Sequence, residues 1–268
     1  MKKFIKIDIQ QSNPEDCEML IAELSEHDFY AFEQNKNTFS AYISEEDFDE
    51  EIVRSLLPAF TNYTYSIIED RNWNEEWESG FQPVIINNFA GIRASFHEPI
   101  KNVAHEIIIT PKMSFGTGHH ATTCLMIEVM SHIDFKNKSV LDFGTGTGVL
   151  SILAEKLGAS SVLAIDCDEW SINNAQENIH MNSCKNILIE KRDNIIGIPV
   201  VDIILANITC NVLEENAENI LMKGSHLVLS GFLLNDEKKI DSAFVKSHFN
   251  KTRKLQKDEW VALQYVSQ

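Results

Sequence analysis

Gly144, Gly146 and Gly148 stand at alternate positions directly behind an apolar run that ends in Asp142-Phe143. Glycine lets a backbone approach a ligand closely, and a turn that opens a helix presents free N–H groups there. Asp166 closes the next apolar run 22 positions after Gly144, a spacing at which a carboxylate reaches the hydroxyls of a ribose. These residues predict a nucleoside cofactor. A dinucleotide would ask for G-x-G-x-x-G, with glycine at 149, where Val149 stands. S-adenosyl-L-methionine fits the spacing better, because it has no pyrophosphate to cradle and its sulfonium and ammonium charges suit Asp142 at a strand end. On these residues alone, a methyltransferase of another protein, an RNA or a small molecule, a nicotinamide-dependent oxidoreductase and a non-catalytic module with a vestigial pocket all remain open.

Two further segments carry candidate chemistry. Asn207 follows the strand-like run Val201–Ala206, and at the carboxyl end of a parallel strand it faces the same crevice as Gly144 and Asp166. Its amide can accept a hydrogen bond from an amine without trapping the protonated form as an acid would; the alternative role is a helix cap. Phe115-Gly116-Thr117-Gly118-His119-His120-Ala121-Thr122-Thr123 is a second glycine-containing loop before a helix, ambiguous by itself, for which the alternative role is a threonine cap. It lacks the Gly-Lys-Ser/Thr ending of a phosphate loop, and its paired histidines have no Cys or acid at metal-binding spacing, so no metal is expected.

The elements needed to position these residues are legible as an alternation of strand and helix beyond Lys112. Helices are expected at 121–132, 148–157, 169–181, 212–221 and 235–249, and strands at 139–143, 161–166, 187–190, 202–206, 226–230 and 260–266. Such alternation predicts a largely parallel sheet covered on both faces. Residues 81–110 read as a bridging sheet. In front of them, strands at 2–9, 30–32, 38–43 and 63–68 with helices at 14–29 and 45–59 predict a small ferredoxin-like α/β domain. The expected layout is a domain at 1–70, a linker at 71–80 in which Trp73 and Trp77 share a helix face, and a catalytic domain at 81–268.

Bulk properties narrow the partners. The 268 residues carry a formal charge of -17, and residues 1–70 alone hold 5 Lys+Arg against 16 Asp+Glu. That balance disfavours direct nucleic-acid binding and favours a basic partner. Five scattered cysteines, with no C-x-x-C, predict reduced, mostly buried thiols rather than disulfides or zinc. Lys6 and Asp8 interrupt any signal-like apolar stretch, and no run is long enough for a membrane span, so a cytoplasmic protein is expected, and a monomer.

The loop Phe115–Thr123, the motif Asp142–Gly148, Asp166-Cys167-Asp168, Ala206-Asn207-Ile208 and Glu259-Trp260 together resemble the PrmA family, bacterial methyltransferases of the eleventh protein of the large ribosomal subunit. The resemblance implies a seven-stranded Rossmann-like S-adenosylmethionine methyltransferase domain behind a ferredoxin-like substrate-recognition domain. It implies methylation of lysine ε-amines, and of the N-terminal α-amine, of a basic ribosomal protein. Thr123, Gly144, Asp166 and Asn207 match the family's cofactor-binding positions, and the Phe115-Gly116-Thr117 loop matches its lid over the methionine moiety. Asn207 is then the residue that orients the amine, with no general base assigned. The family's usual Thr-His-Pro-Thr-Thr is His119-His120-Ala121-Thr122-Thr123 here, and Thr145 replaces its cysteine.

Overall fold

The computed structural model describes residues 3–10, 20, 23–24, 27–29, 31–34, 38–57, 63–69, 81–112, 114–245 and 248–268. The chain divides into two compact units, Met1–Gly80 and Phe81–Gln268. The expected linker with Trp73 and Trp77, most of the expected helix at 14–29, and Cys17 lie outside the described residues.

The first unit is a four-stranded antiparallel sheet, β1 (Lys3–Ile9), β2 (Ala31–Gln34), β3 (Phe39–Ser44) and β4 (Tyr63–Glu69), in the order β2-β3-β1-β4. Alternation along β1 puts Ile5, Ile7 and Ile9 into a core with Phe39, Ala41 and Ile43 of β3. Helix α1 (Glu50–Leu56) is shorter than the expected 45–59 because Asp49 caps it, its carboxylate accepting from the Glu51 and Ile52 N–H groups.

In the second unit a small sheet of β5 (Val84–Ile86), β6 (Ala90–Ala94) and β7 (His105–Ile109) precedes the main sheet. Its Ile92, Ala94, Ile107 and Ile109 share a core with helices α2 (Ala121–Met130) and α3 (Val149–Lys156). The main sheet has seven strands: β8 (Ser139–Phe143), β9 (Ser161–Asp166), β10 (Ile187–Lys191), β11 (Val201–Asn207), β12 (Gly224–Leu233), β13 (Phe249–Lys257) and β14 (Trp260–Ser267). Their order is β10-β9-β8-β11-β12-β14-β13, with β14 antiparallel to both of its neighbours and the remaining pairs parallel. Alternation sorts the core onto two faces. Val140, Val162, Ile203 and Leu205 pack with α2 and α3. Leu141, Phe143, Ile165, Ile204 and Ala206 pack on the other face with α5 (Cys210–Glu215), α6 (Ala217–Lys223) and α7 (Glu237–Phe244). Helix α4 (Glu169–Met181) joins β9 to β10.

Several sequence expectations are corrected. The single helix expected at 212–221 is two short helices that meet at Asn216. The helix expected at 235–249 opens as a 3₁₀ turn and ends at Phe244, and the charged segment Phe249–Lys257 is strand β13, which the sequence reading missed. Its lysines and arginine alternate on an edge strand, where charge discourages pairing with another chain. The cap of α2 is His120, whose Nδ1 accepts from the Thr122 N–H, and not a threonine. Cys124, Cys184 and Cys210 are half-buried and Cys167 is exposed, so the described thiols are less buried than expected. No described helix is long and apolar enough to cross a membrane.

Candidate active site

In the main sheet β8 is flanked by β9 on one side and β11 on the other, so the winding reverses there and a crevice opens at the carboxyl ends of β8 and β11. Gly144 follows β8, and Asn207 is the last residue of β11. Asp142, Asp166 and Asn207 have the sequence parity of Val140, Val162 and Leu205, so all three belong to the face covered by α2 and α3.

The glycine turn is fixed by its backbone. Gly144 and Thr145 donate their N–H groups to Ile165 O at 2.9 and 3.0 Å. Gly148 enters α3 at φ 80°. At Gly144, with φ 78°, an added Cβ would lie 2.3 Å from Ile208 Cγ2, and at Gly146 it would lie 2.2 Å from Phe115 O. Side chains are excluded at both positions by close approach as well as by conformation. Thr147 ties the second loop down: its N–H donates to Phe115 O at 2.9 Å and its Oγ1 to Gly116 O at 2.8 Å. Phe115 keeps its ring about half exposed, beside His120, which in turn meets the Trp260 ring edge-on at 4.6 Å.

Asp142 is wholly buried. Its Oδ2 accepts from Thr145 Oγ1 at 2.7 Å and Ser151 Oγ at 2.6 Å, so one oxygen braces the turn. Burial, opposed by these two bonds and reinforced by nearby Asp166, pushes its pKa up to about 6. Asp166 Oδ2 accepts from the Gly146 N–H at 2.9 Å and Oδ1 from the Asp168 N–H at 3.0 Å, leaving each oxygen further accepting capacity. Asn207 caps no helix; Thr209 holds the N-cap position of α5.

Buried polar atoms are nearly always paired, and the unpaired ones concentrate here. Thr123 Oγ1, Asp142 Oδ1 and Asn207 Oδ1 are all buried without a hydrogen-bond partner. Three unpaired acceptors beside a glycine turn that excludes side chains suit a ligand rich in N–H groups and positive charge. S-adenosyl-L-methionine, with its ammonium and sulfonium, has that character.

The family described as "Ribosomal protein L11 methyltransferase (PrmA)" matches residues 6–268. The chain belongs to the ribosomal protein L11 methyltransferase family. It is 36% identical over 261 residues to a ribosomal protein L11 methyltransferase of Bacteroides thetaiotaomicron, covering 93% of each chain. It is 41% identical over 231 residues to one of Porphyromonas gingivalis, covering 82% of this chain and 80% of the relative. The crystal structure of a ribosomal protein L11 methylase from Lactobacillus delbrueckii subsp. bulgaricus superposes with a TM-score of 0.65 at 26% identity, covering 70% of this chain and 100% of that one. The chain therefore has an α/β methyltransferase fold and is an S-adenosyl-L-methionine-dependent methyltransferase. The nicotinamide and non-catalytic alternatives fall away.

Sequence reasoning missed several residues that shape this site. Ile208 packs over Gly144, and its backbone lies so close to Gly231 that a Cβ there would sit 2.3 Å from Ile208 O. The β12–β14 register shifts between Leu229 and Phe232, around that glycine. A glycine inside a strand pattern is the available signal for such a close approach. Asn178, whose Nδ2 donates to Thr147 O at 2.8 Å, also went unread.

Proposed function

We propose that the chain methylates lysine ε-amines, and the N-terminal α-amine, of the basic ribosomal protein L11. The observation that carries this reading is the Asn207 carboxamide, whose buried Oδ1 has no donor and stands at the switch point beside the glycine turn. An incoming amine supplies the missing donor, and an amide holds it without stabilising the protonated, unreactive form. At pH 7 a free lysine lies about 3.4 pKa units, or about 4.6 kcal/mol, from its neutral form, and desolvation in the crevice lowers that cost.

Bound S-adenosyl-L-methionine supplies the electrophilic methyl group on sulfur. The backbone of Gly144, Gly146 and Gly148 would receive it, with Asp166 on the ribose hydroxyls. Asp142 Oδ1 and Thr123 Oγ1 would accept from its polar end, and Phe115 and Gly116 would cover it. Asn207 then aligns the amine, and alignment of reacting groups contributes about 7 to 11 kcal/mol in favourable cases. No residue is assigned as general base.

The order β2-β3-β1-β4 of the first unit supports a ferredoxin-like domain for residues 1–70, joined by a linker at 71–80 to a seven-stranded Rossmann-like catalytic domain at 81–268. The acidity of residues 1–70 supports a role in receiving a basic protein, with no direct contact to nucleic acid. We read the enzyme as a cytoplasmic monomer. The test is incubation with labelled S-adenosyl-L-methionine and an undermethylated ribosome extract. Label in protein L11 of the large subunit supports the assignment, and label in RNA or a metabolite overturns it.

A further inference from the structure

Asn174 and Asn178 of helix α4 and its C-cap residue Asn182 stand at intervals of four, on one face. Asn182 Oδ1 accepts from the Ile108 N–H at 3.0 Å, and its Nδ2 donates to Ile108 O at 2.6 Å. Asn178 Oδ1 accepts from the Thr110 N–H at 2.7 Å, and Asn174 Nδ2 donates to Thr110 O at 3.1 Å. Four helical residues rise about 6 Å and two strand residues about 6.6 Å, so Asn182 and Asn178 meet alternate residues, Ile108 and Thr110, while Asn174 takes the carbonyl of Thr110. The stripe thus serves as a substitute strand along the outer edge of β7, which pairs with β6 on its other side.

One rung reaches further. Asn178 Nδ2 donates to Thr147 O, and Thr147 holds the Phe115 loop through its own N–H and Oγ1. A single side chain therefore joins the strand that leads into the loop, the helix that follows Asp166, and the glycine turn. Asn178 is wholly buried, so each of its bonds is made away from water.

We propose that Asn178 is a positioning residue for methyl transfer, fixing the register between the Phe115–Gly118 loop and the glycine turn, whereas Asn182 only closes the edge of β7. Both residues bond backbone groups of the same edge, but Asn178 is wholly buried and Asn182 only partly, so the two are told apart by where protection is lost and not by how much stability is lost. Only Asn178 touches the turn.

Amide hydrogen exchange on the cofactor-free full chain separates the two roles. Asn178→Ala should speed exchange of the Thr147 amide and of residues 114–118 at least tenfold, while Asn182→Ala speeds exchange only around Ile108. Thr147→Val, which removes the hydroxyl bond to Gly116, should likewise speed exchange at 114–118, and Thr147→Ser should restore protection. That pair carries the test if Asn178→Ala does not fold. Equal exchange at Thr147 and 114–118 in the two asparagine variants, or wild-type protection in Thr147→Val, overturns the inference. A second readout rests on the methyl-transfer reading: Kd for S-adenosyl-L-methionine should rise about tenfold in Asn178→Ala and stay unchanged in Asn182→Ala. Failure of the wild type to bind the cofactor would sink that reading alone, since the exchange contrast needs no cofactor.

Discussion

The two ends of strand β11 treat polar side chains in opposite ways. At its start Asp202 is saturated: it accepts from the Ser139 N–H at 2.9 Å and Ser139 Oγ at 2.8 Å, and pairs with Lys138 at 3.3 Å. The Ser139 backbone bond, the Ser139 hydroxyl and Lys138 hold its carboxyl below the usual range despite partial desolvation. At the other end Asn207 Oδ1 is buried with no partner, and two register positions away on β8 the buried Asp142 is pushed up to about 6. One strand thus has an end built for stability and an end that gives up stability to keep acceptors free for ligands. An unpaired buried acceptor costs roughly 1 to 3 kcal/mol, and such a cost persists where function needs it.

The largest expected effect comes from breaking the costly end. Asn207→Ala should lower the methylation rate about 100-fold or more, comparable to losing a preorganised polar contact at a reacting centre, while leaving stability unchanged or slightly raised. Asn207→Asp should retain an acceptor yet stay slow at pH 7 and recover as pH rises, because the acid holds the protonated amine. Rate against pH for the two variants checks both statements.

A second contrast isolates close approach from backbone conformation. Gly144 and Gly197 share a φ of 78°, but a Cβ at Gly197 meets nothing within 4 Å. Gly197→Ala should cost about 1 kcal/mol from left-handed strain alone. Gly144→Ala should cost about 2 kcal/mol beyond that, because Ile208 must move. Urea midpoints of the two variants give the difference directly.

The two carboxylates should then respond to pH with opposite signs. The folded-state pKa of Asp142 lies above its ordinary value of 3.8, so the native state holds that proton more tightly. Stability is present below about pH 4 and is lost as pH rises through about 6, by about 3 kcal/mol. Asp142→Asn removes the titration, so between pH 4 and pH 8 the variant should gain about that much relative to wild type. For Asp202, with a lowered pKa, the stabilisation is present above 3.8 and lost as pH falls. Asp202→Asn should therefore be the less stable protein at pH 7, by roughly 1 kcal/mol, and approach wild type in acid. Denaturant curves at the two pH values check each sign; a pH-independent difference for either pair would break the contrast.

What the sequence discloses follows the same division. The glycine turn, Asp166 and Asn207 were legible because ligand chemistry constrains residue type at fixed spacing behind apolar strands, and the start of helix α4 was legible because Asp168 caps it. Strand β13 was hidden because its alternation is written in lysine, arginine and threonine rather than apolar residues. The break at Asn216 carries no proline or glycine to announce it. The asparagine stripe of α4 was invisible as chemistry, since asparagine on a helix face ordinarily reads as a solvated residue until a strand edge is placed beside it. That Asp142 spends one oxygen on Thr145 and Ser151 could not be seen before the turn was folded.

Isothermal calorimetry of the full chain with S-adenosyl-L-methionine at pH 7.5 measures whether the glycine turn and Asp166 hold the cofactor. One binding site is expected in the wild type, weakened at least tenfold by Asp166→Ala. Folded wild-type protein that releases no binding heat, or an Asp166→Ala variant that binds as the wild type does, would contradict that expectation.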